Sequence, residues 1–556
     1  MIQCSTLKVK AVNGLVRLLR EEGTDWVCTF PTNIFVNACG EEEMPLLMVR
    51  TERFAVAVSD AYGRASNGKK IGVSAVMGGL NAAGTEMAYG ALAQAYEDSS
   101  PLLCLTDGVP NEATARERFN IEDGFRSVTK WSGYINQGRR VPEFVRRAYT
   151  QLRSGRPSPV MLQVPRGLEE YETDEHSYTP VKGWRPAGDP ADVEKAVRAL
   201  LHAKNPMIYA GQGVFFGDAC AELKKFADLT GTPVLTTLMG KSCFPENHPL
   251  SLGVRDVPAE RWLKGSDLVL AIGASLGTTS FGHEVPTKGK TIIHCTIDEQ
   301  DLNRATRMDH AVVGDAKLVL TQMIAEAEKQ GAKPRVGVEV EIAGAKEEKM
   351  KKYRPLMESN DKPINPYRVY AEIIETIDPK NSVVTHESGN TRDQLTTVYD
   401  AVVEHGVMAW GNVSTLGFGL GAAMGAKLAY PKRQVVSVTG DAGVSYQMGD
   451  YEALIRHCMG ITTIHINNGG FSGYGPGFWG GGHTPYACEV TKQDVYNTAK
   501  MAEALGMHAT RIEEPDEIAP SLKDALKENE KGHPAFIEVI CSRHPVYGAW
   551  VRPPAR

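Results

Sequence analysis

Two short groups of residues, Gly440-Asp441-Ala442-Gly443 and Asn467-Asn468, combine a carboxylate and an amide oxygen, the hard ligands that suit a small divalent cation. Each closes an apolar run. Val435-Val436-Ser437-Val438 precedes the first, and Ile461-Thr462-Thr463-Ile464-His465-Ile466 leads into the second. Such runs read as short buried strands, and residues 451–457 between them read as a helix. Two strand ends then bring Asp441 and Asn468 together at the carboxyl edge of a parallel sheet, the edge where α/β proteins bind ligands. With waters and phosphate oxygens these two side chains would complete an octahedral Mg²⁺ site. The competing reading is an ordinary strand, turn and helix with Asp441 as its N-cap.

The pattern resembles the diphosphate-anchoring motif of thiamine diphosphate enzymes, a Gly-Asp-Gly start closed by Asn-Asn, with Ala442 where that family usually has Gly. The resemblance implies thiamine diphosphate and Mg²⁺ as cofactors. Asp441, Asn468 and the carbonyl of Gly470 are then the metal ligands, and Gly440, Ala442 and Gly443 belong to the cofactor-binding turn. Glu387-Ser388-Gly389-Asn390 follows a strand and opens a helix, so its free N–H groups suit phosphate oxygens. A plain helix cap explains the same pattern equally well. The run from Trp410 to Leu420 resembles the family stretch that bends the cofactor. Leu416 falls at the supporting position and Ser414 lies beside it, although by itself Leu416 reads as a core residue.

The family also needs a carboxylic acid from the first domain, after a strand and at a helix start. Leu46 to Arg64 resembles that segment, and Glu52 occupies the position of the catalytic glutamate. Buried beside an apolar ring, such a Glu would have a raised pKa and could hydrogen-bond the cofactor's ring nitrogen. Taken alone, a Glu at a helix start is a dipole-favoured surface residue. Thr51 stands where many members have His. Asp98-Ser99-Ser100-Pro101, Gly155-Arg156-Pro157 and Phe244-Pro245-Glu246-Asn247-His248-Pro249 extend the resemblance to acetolactate synthase-like enzymes over nearly the whole chain.

Substrate-facing loops depart from that pattern. Asn33, Asn81 and Asn120 could each offer an amide to a carbonyl or carboxylate, and each could equally be a turn residue. The glycine- and aromatic-rich stretch 469–483 holds Phe471, Trp479 and His483, which read either as a closing loop over an acyl substrate or as a packed surface loop. The flavin-contacting stretch of acetolactate synthases is not recognisable in residues 273–281, so FAD is possible but not favoured.

The elements that must position these residues alternate helical and strand patterns throughout, implying parallel sheets covered by helices on both faces. Polar, proline-bearing stretches at 169–190 and 330–366 read as connections. The expectation is an α/β protein of three doubly wound parallel-sheet domains: a pyrimidine-binding domain over 1–175, a central domain over 190–330 and a diphosphate-binding domain over 365–556. The chain has 556 residues, 42% hydrophobic and 23% charged, and a net charge of −6, which offers no nucleic-acid surface. No apolar stretch is long enough for a bilayer, no secretion signal opens the chain, and the ten cysteines form no Cys-x-x-Cys pair and read as reduced core residues. These features favour a cytoplasmic protein. The resemblance implies carbon–carbon bond formation or cleavage on a 2-oxo acid or aldehyde, in a homodimer or homotetramer with active sites at the subunit interface. A 2-hydroxyacyl-CoA lyase or oxalyl-CoA decarboxylase is the first alternative. A cofactor-binding paralogue without turnover is the second.

Overall fold

Three six-stranded sheets, all of whose pairings are parallel, carry the architecture of a computed structural model of the chain. The structure describes residues 7–79, 83–109, 120–173, 178–408, 411–470, 483–491 and 496–552. The chain forms two compact units. One comprises residues 1–184 with 424–429 and 449–457; the other comprises 185–423, 430–448 and 458–556.

The first unit holds one sheet, in the spatial order Leu46–Met48, Val27–Thr29, Gly72–Val76, Leu102–Gly108, Val160–Pro165, Trp131–Tyr134. Its central strands are fully buried, as the unbroken apolar runs require when helices cover both faces. Order reverses between Val27–Thr29 and Gly72–Val76, which opens a crevice at their carboxyl ends. The loops there begin at Phe30 and Met77. The Glu52–Ala65 helix packs so tightly on the sheet that a Cβ at Gly72 would lie 2.1 Å from the Ser59 carbonyl oxygen, and one at Gly63 would lie 2.4 Å from that of Pro101. A buried network fixes the same helix from the side. Arg64 grips Asp60 through two hydrogen bonds of 2.6 and 2.9 Å and lies 3.7 Å from Asp98, while Ser100 donates to Asp60. The Asp98-Ser99-Ser100-Pro101 stretch of the sequence therefore serves to seat this helix.

The second unit holds two sheets. One runs Ser251–Gly253, Val234–Thr236, Pro206–Ala210, Leu268–Ile272, Thr291–Thr296, His310–Val313. The other runs Val407–Met408, Ser382–His386, Gln434–Gly440, Thr462–Asn467, Ala535–Ile540, His508–Ile512. The latter repeats the spatial order of the first unit's sheet. Its reversal lies between Ser382–His386 and Gln434–Gly440, so the segments starting at Glu387 and Asp441 leave the sheet side by side.

The two runs read as strands, 435–438 and 461–466, fall on Gln434–Gly440 and Thr462–Asn467, within two residues at each end. Two connections differ from expectation. Within 169–190, Tyr171–Thr173 pairs antiparallel with Leu7–Val9. Within 330–366, residues Val338–Met357 form a twenty-residue helix. Ile342, Ala345 and Tyr353 are its buried stripe, too sparse among charged neighbours to stand out as periodicity. Cys28, Cys39, Cys104, Cys220, Cys243, Cys295 and Cys541 are buried free thiols and Cys458 an exposed one, and among the described residues no helix is long and apolar enough to cross a membrane.

Gly72→Ala tests the close approach that seats the Glu52 helix. Backbone faces the new methyl, so neither side can yield cheaply. Urea unfolding should give a loss of about 2 kcal/mol or more; an unchanged midpoint would contradict the packing.

Candidate active site

At the carboxyl edge of the second unit's sheet that holds Gln434–Gly440 and Thr462–Asn467, Asp441 opens the Asp441–Gln447 helix and is 6% exposed. Its Oδ2 faces the Asn468 N–H at 3.4 Å, and its Oδ1 lies 3.6 Å from Nε2 of the buried His465, whose Nδ1 sits 2.9 Å from the Thr498 hydroxyl. Asn468 Oδ1 is shielded from solvent and has no partner among the described residues. A buried amide oxygen without a donor is costly unless something absent from the chain itself completes it. The neighbouring Asn467 is structural. Its Nδ2 donates to Glu538 at 2.7 Å and its Oδ1 accepts from Gly469 N–H at 3.2 Å. Arg543 donates to the Gly469 carbonyl at 2.6 Å and the Asn468 carbonyl at 3.3 Å, which shapes the turn up to Gly470. A Cβ at Gly470 would strike the Arg543 guanidinium at 2.0 Å.

These donors are oxygens of a carboxylate, an amide and a backbone carbonyl. Among the described residues no cluster of three His, Cys, Asp or Glu could hold a metal. The set therefore fits a hard, oxygen-preferring cation such as Mg²⁺ better than zinc or a thiophilic metal.

Glu387 is fully buried, and its carboxylate is consumed by backbone N–H groups. Oε2 accepts from Gly417 and Gly419 at 3.1 Å each, and Oε1 accepts from Ser388 at 2.8 Å. It thereby ties the Ser388 turn to the loop carrying Ser414 and Leu416. Ser388 and Ser414 meet through their hydroxyls, and Gln447 donates to the Gly417 carbonyl. Gly389 sits at φ +94°, a conformation that favours glycine. A Cβ at Gly443 would lie 2.4 Å from Glu387 Cγ, whereas one at Gly440 would meet nothing nearer than 3.8 Å. Glycine is thus sterically required at Gly443, and position 442 accommodates a half-buried methyl. Asn390 donates to the His544 carbonyl at 3.2 Å. Leu416 is only half-buried, and Ser414 is exposed. Leu416 is thus less enclosed than a core leucine.

Glu52 belongs to the other unit. It is the first residue of its helix and is 8% exposed. A Cβ at Gly84 would lie 2.6 Å from its Oε1 and 2.6 Å from the Met77 carbonyl oxygen, so the glycine makes room for the carboxyl group. Burial raises the Glu52 pKa above the ordinary carboxylate range. Asp107 fixes the adjoining loop, accepting from Gly78 N–H at 2.6 Å and pairing with Arg166 at 2.5 Å.

Asn33 is exposed at a helix start. Asn120 is an N-cap, accepting from Asp123 N–H at 3.2 Å, and it donates to that residue's carboxylate at 2.8 Å. His483 is exposed. Asn81, Phe471 and Trp479 lie outside the described residues. Sequence reasoning passed over Asp107, Asp450, Glu538 and Arg543. For Glu538 a signal existed: a lone acid inside the apolar strand Ala535–Ile540 needs buried donors.

Two measurements check this geometry. Glu538→Ala strands Asn467 Nδ2, the Ala499 N–H and a nitrogen of Arg511. It should cost about 3–5 kcal/mol in denaturant unfolding. Glu52→Gln should raise the thermal midpoint at pH 8 but not at pH 4. A carboxyl whose folded pKa lies above its unfolded value costs stability progressively as pH rises past the unfolded value. Equal midpoints at both pH values would refute the desolvation of Glu52.

Three family models match the chain. They describe the thiamine pyrophosphate enzyme N-terminal TPP-binding domain over residues 9–127, the central domain over 193–323 and the C-terminal TPP-binding domain over 387–539. A probable acetolactate synthase large subunit of Methanococcus aeolicus is 29% identical, over 94% of this chain and 91% of its own length. Glyoxylate carboligase of Escherichia coli O157:H7 is 29% identical, over 96% and 94%. Acetolactate synthase isozyme 3 large subunit of Escherichia coli K12 is 26% identical, over 89% and 87%. The two motif-bearing sheet edges fall inside the two TPP-binding matches, and the chain belongs to the thiamine pyrophosphate enzymes, as an acetolactate synthase-like member of the carboligase and lyase kind.

Proposed function

We propose that this enzyme uses thiamine diphosphate held through Mg²⁺ to make or break a carbon–carbon bond next to the carbonyl of a 2-oxo acid or aldehyde. The observation that carries this reading is the buried Oδ1 of Asn468 beside Asp441, without a partner among the described residues, within the matched TPP-binding segment. Asp441, Asn468 and the Gly470 carbonyl would hold the metal. The turns at Ser388-Gly389-Asn390 and Gly440–Gly443 would receive the diphosphate. Leu416, only half-buried, would support the cofactor from below.

When bound, the cofactor supplies a carbon nucleophile for carbonyl groups. Glu52 would carry a proton at its carboxyl and hydrogen-bond the pyrimidine ring; its burial raises its pKa, which favours the protonated form. Small 2-oxo acids are the favoured donors, because relatives on both sides of the match are named for acetolactate synthesis and glyoxylate ligation. The domain bounds 1–175, 190–330 and 365–556 are part of this reading. So is assembly as a homodimer or homotetramer, which the exposed Met87, Tyr89 and Tyr96 on the Ala83–Glu97 helix support.

The test is turnover of purified protein with thiamine diphosphate and Mg²⁺, offering pyruvate, glyoxylate, benzoylformate, aldehyde pairs and acyl-CoA thioesters. A ligated hydroxyketone or hydroxyacid is expected, and products from CoA thioesters alone would overturn the substrate class. EDTA and Asp441→Ala should abolish product. Glu52→Gln should lower the rate about 10²–10⁴-fold; full activity in Glu52→Gln would remove the proton role assigned to it.

A further inference from the structure

The turn that leads into Glu52 is held by residues far along the chain, inside the same compact unit. Thr51 N-caps the Glu52–Ala65 helix, its Oγ1 accepting from Phe54 N–H at 3.2 Å. The same hydroxyl donates to Asp450, at 3.1 Å to Oδ2 and 3.4 Å to Oδ1. The Asp450 carboxylate, 4% exposed, also takes the backbone N–H groups of Arg50 and Thr51. Two residues on, Glu452 pairs with Arg50 at 2.8 Å and is itself held by Arg456 at 2.6 Å. His457 Nε2 lies 3.0 Å from the Met48 carbonyl oxygen. Residues 48, 50 and 51 are therefore each fixed by a segment that shares no local sequence with them.

We infer that Asp450, acting through Thr51, is a positioning residue that fixes the direction in which Glu52 presents its carboxyl group. The inference rests on the proton role proposed for Glu52. A helix-opening residue has no preceding turn to constrain it, so its side chain points where its cap directs it. An ordinary cap needs only the Thr51 hydroxyl. Adding a buried carboxylate that engages three donors of one turn over-determines the backbone just where a carboxyl must be aimed. Keeping that carboxylate buried is costly. Burial pushes Asp450 up to about 6, against the pull of the Thr51 hydroxyl, the two backbone N–H groups and Arg53; the Cys28 thiol also faces it. Buried charge retained beside a working residue is a mark of function rather than of stability.

The experiment is a double-mutant cycle. Thr51→Val, which keeps shape but loses the hydroxyl, and Asp450→Asn, which keeps shape but loses charge, are each made with Glu52 intact and with Glu52→Gln. Three quantities are read: kcat, cofactor affinity, and deuterium exchange of the bound cofactor's thiazolium proton. With Glu52 present, each change should slow exchange and kcat about 10-fold, while cofactor affinity stays within about twofold. Thr51→Ser should restore both rates. On the Glu52→Gln background neither change should slow exchange further. Unaltered exchange in Thr51→Val, or the same fold-loss on both backgrounds, would overturn the positioning role. If Glu52→Gln alone exchanges at the full rate, the proposed proton role fails instead, and the cycle identifies that outcome by itself. Should Thr51→Val fold poorly, Asp450→Asn and Thr51→Ser carry the same comparison.

Discussion

Buried carboxylates that accept backbone N–H groups hold the working edges of this protein together. Glu387 is the most consequential. Its two oxygens take the N–H groups of Ser388, Gly417 and Gly419, so that two loops leaving adjacent strands are held in one arrangement. Loops at a sheet's carboxyl edge have lost their ladder partners, and their N–H groups must find acceptors or water. A charged acceptor forms bonds about twice as strong as a neutral one, and in a dry site it pays to satisfy every lone pair. Glu538 repeats the device at the Ala499 N–H while also taking the Asn467 side-chain amide, Asp107 repeats it at Gly78, and Asp450 at the turn into Glu52.

This arrangement separates two kinds of acid that look alike in composition. Structural acids are saturated by donors, as Glu387 is. Among the described residues the Asp441 carboxylate has its approaches at 3.4 and 3.6 Å, and the Glu52 carboxyl is set against Gly84. Unsaturated groups at sheet edges are those with capacity left for a cofactor. Motif position groups Glu387 with the cofactor-binding residues. Its geometry assigns its carboxylate to the backbone and leaves the cofactor-facing capacity of that turn to N–H groups.

The glycines follow the same logic at shorter range. Gly443 and Gly84 give way to carboxylate-bearing side chains, and Gly72 and Gly63 give way to backbone. Each is a place where two elements approach closer than a methyl group allows.

By itself the sequence determined the layer class and the two adjacent strands that end at Asp441 and Asn468, because buried parallel strands are continuous apolar runs and ligand residues cluster just beyond them. Glu52 was legible only through its resemblance to a family segment, since a glutamate at a helix start is ordinarily a surface residue. The helix Val338–Met357 was hidden by its charge, with three buried residues spread over twenty. Only the tertiary structure decided which acids are spent and which remain available, and that Asp450 and Thr51 meet. Those distinctions depend on donors from other segments, 30 residues away for Glu387 and Gly417 and 399 for Asp450 and Thr51, and hydrogen bonding between separate segments leaves no periodicity in the chain.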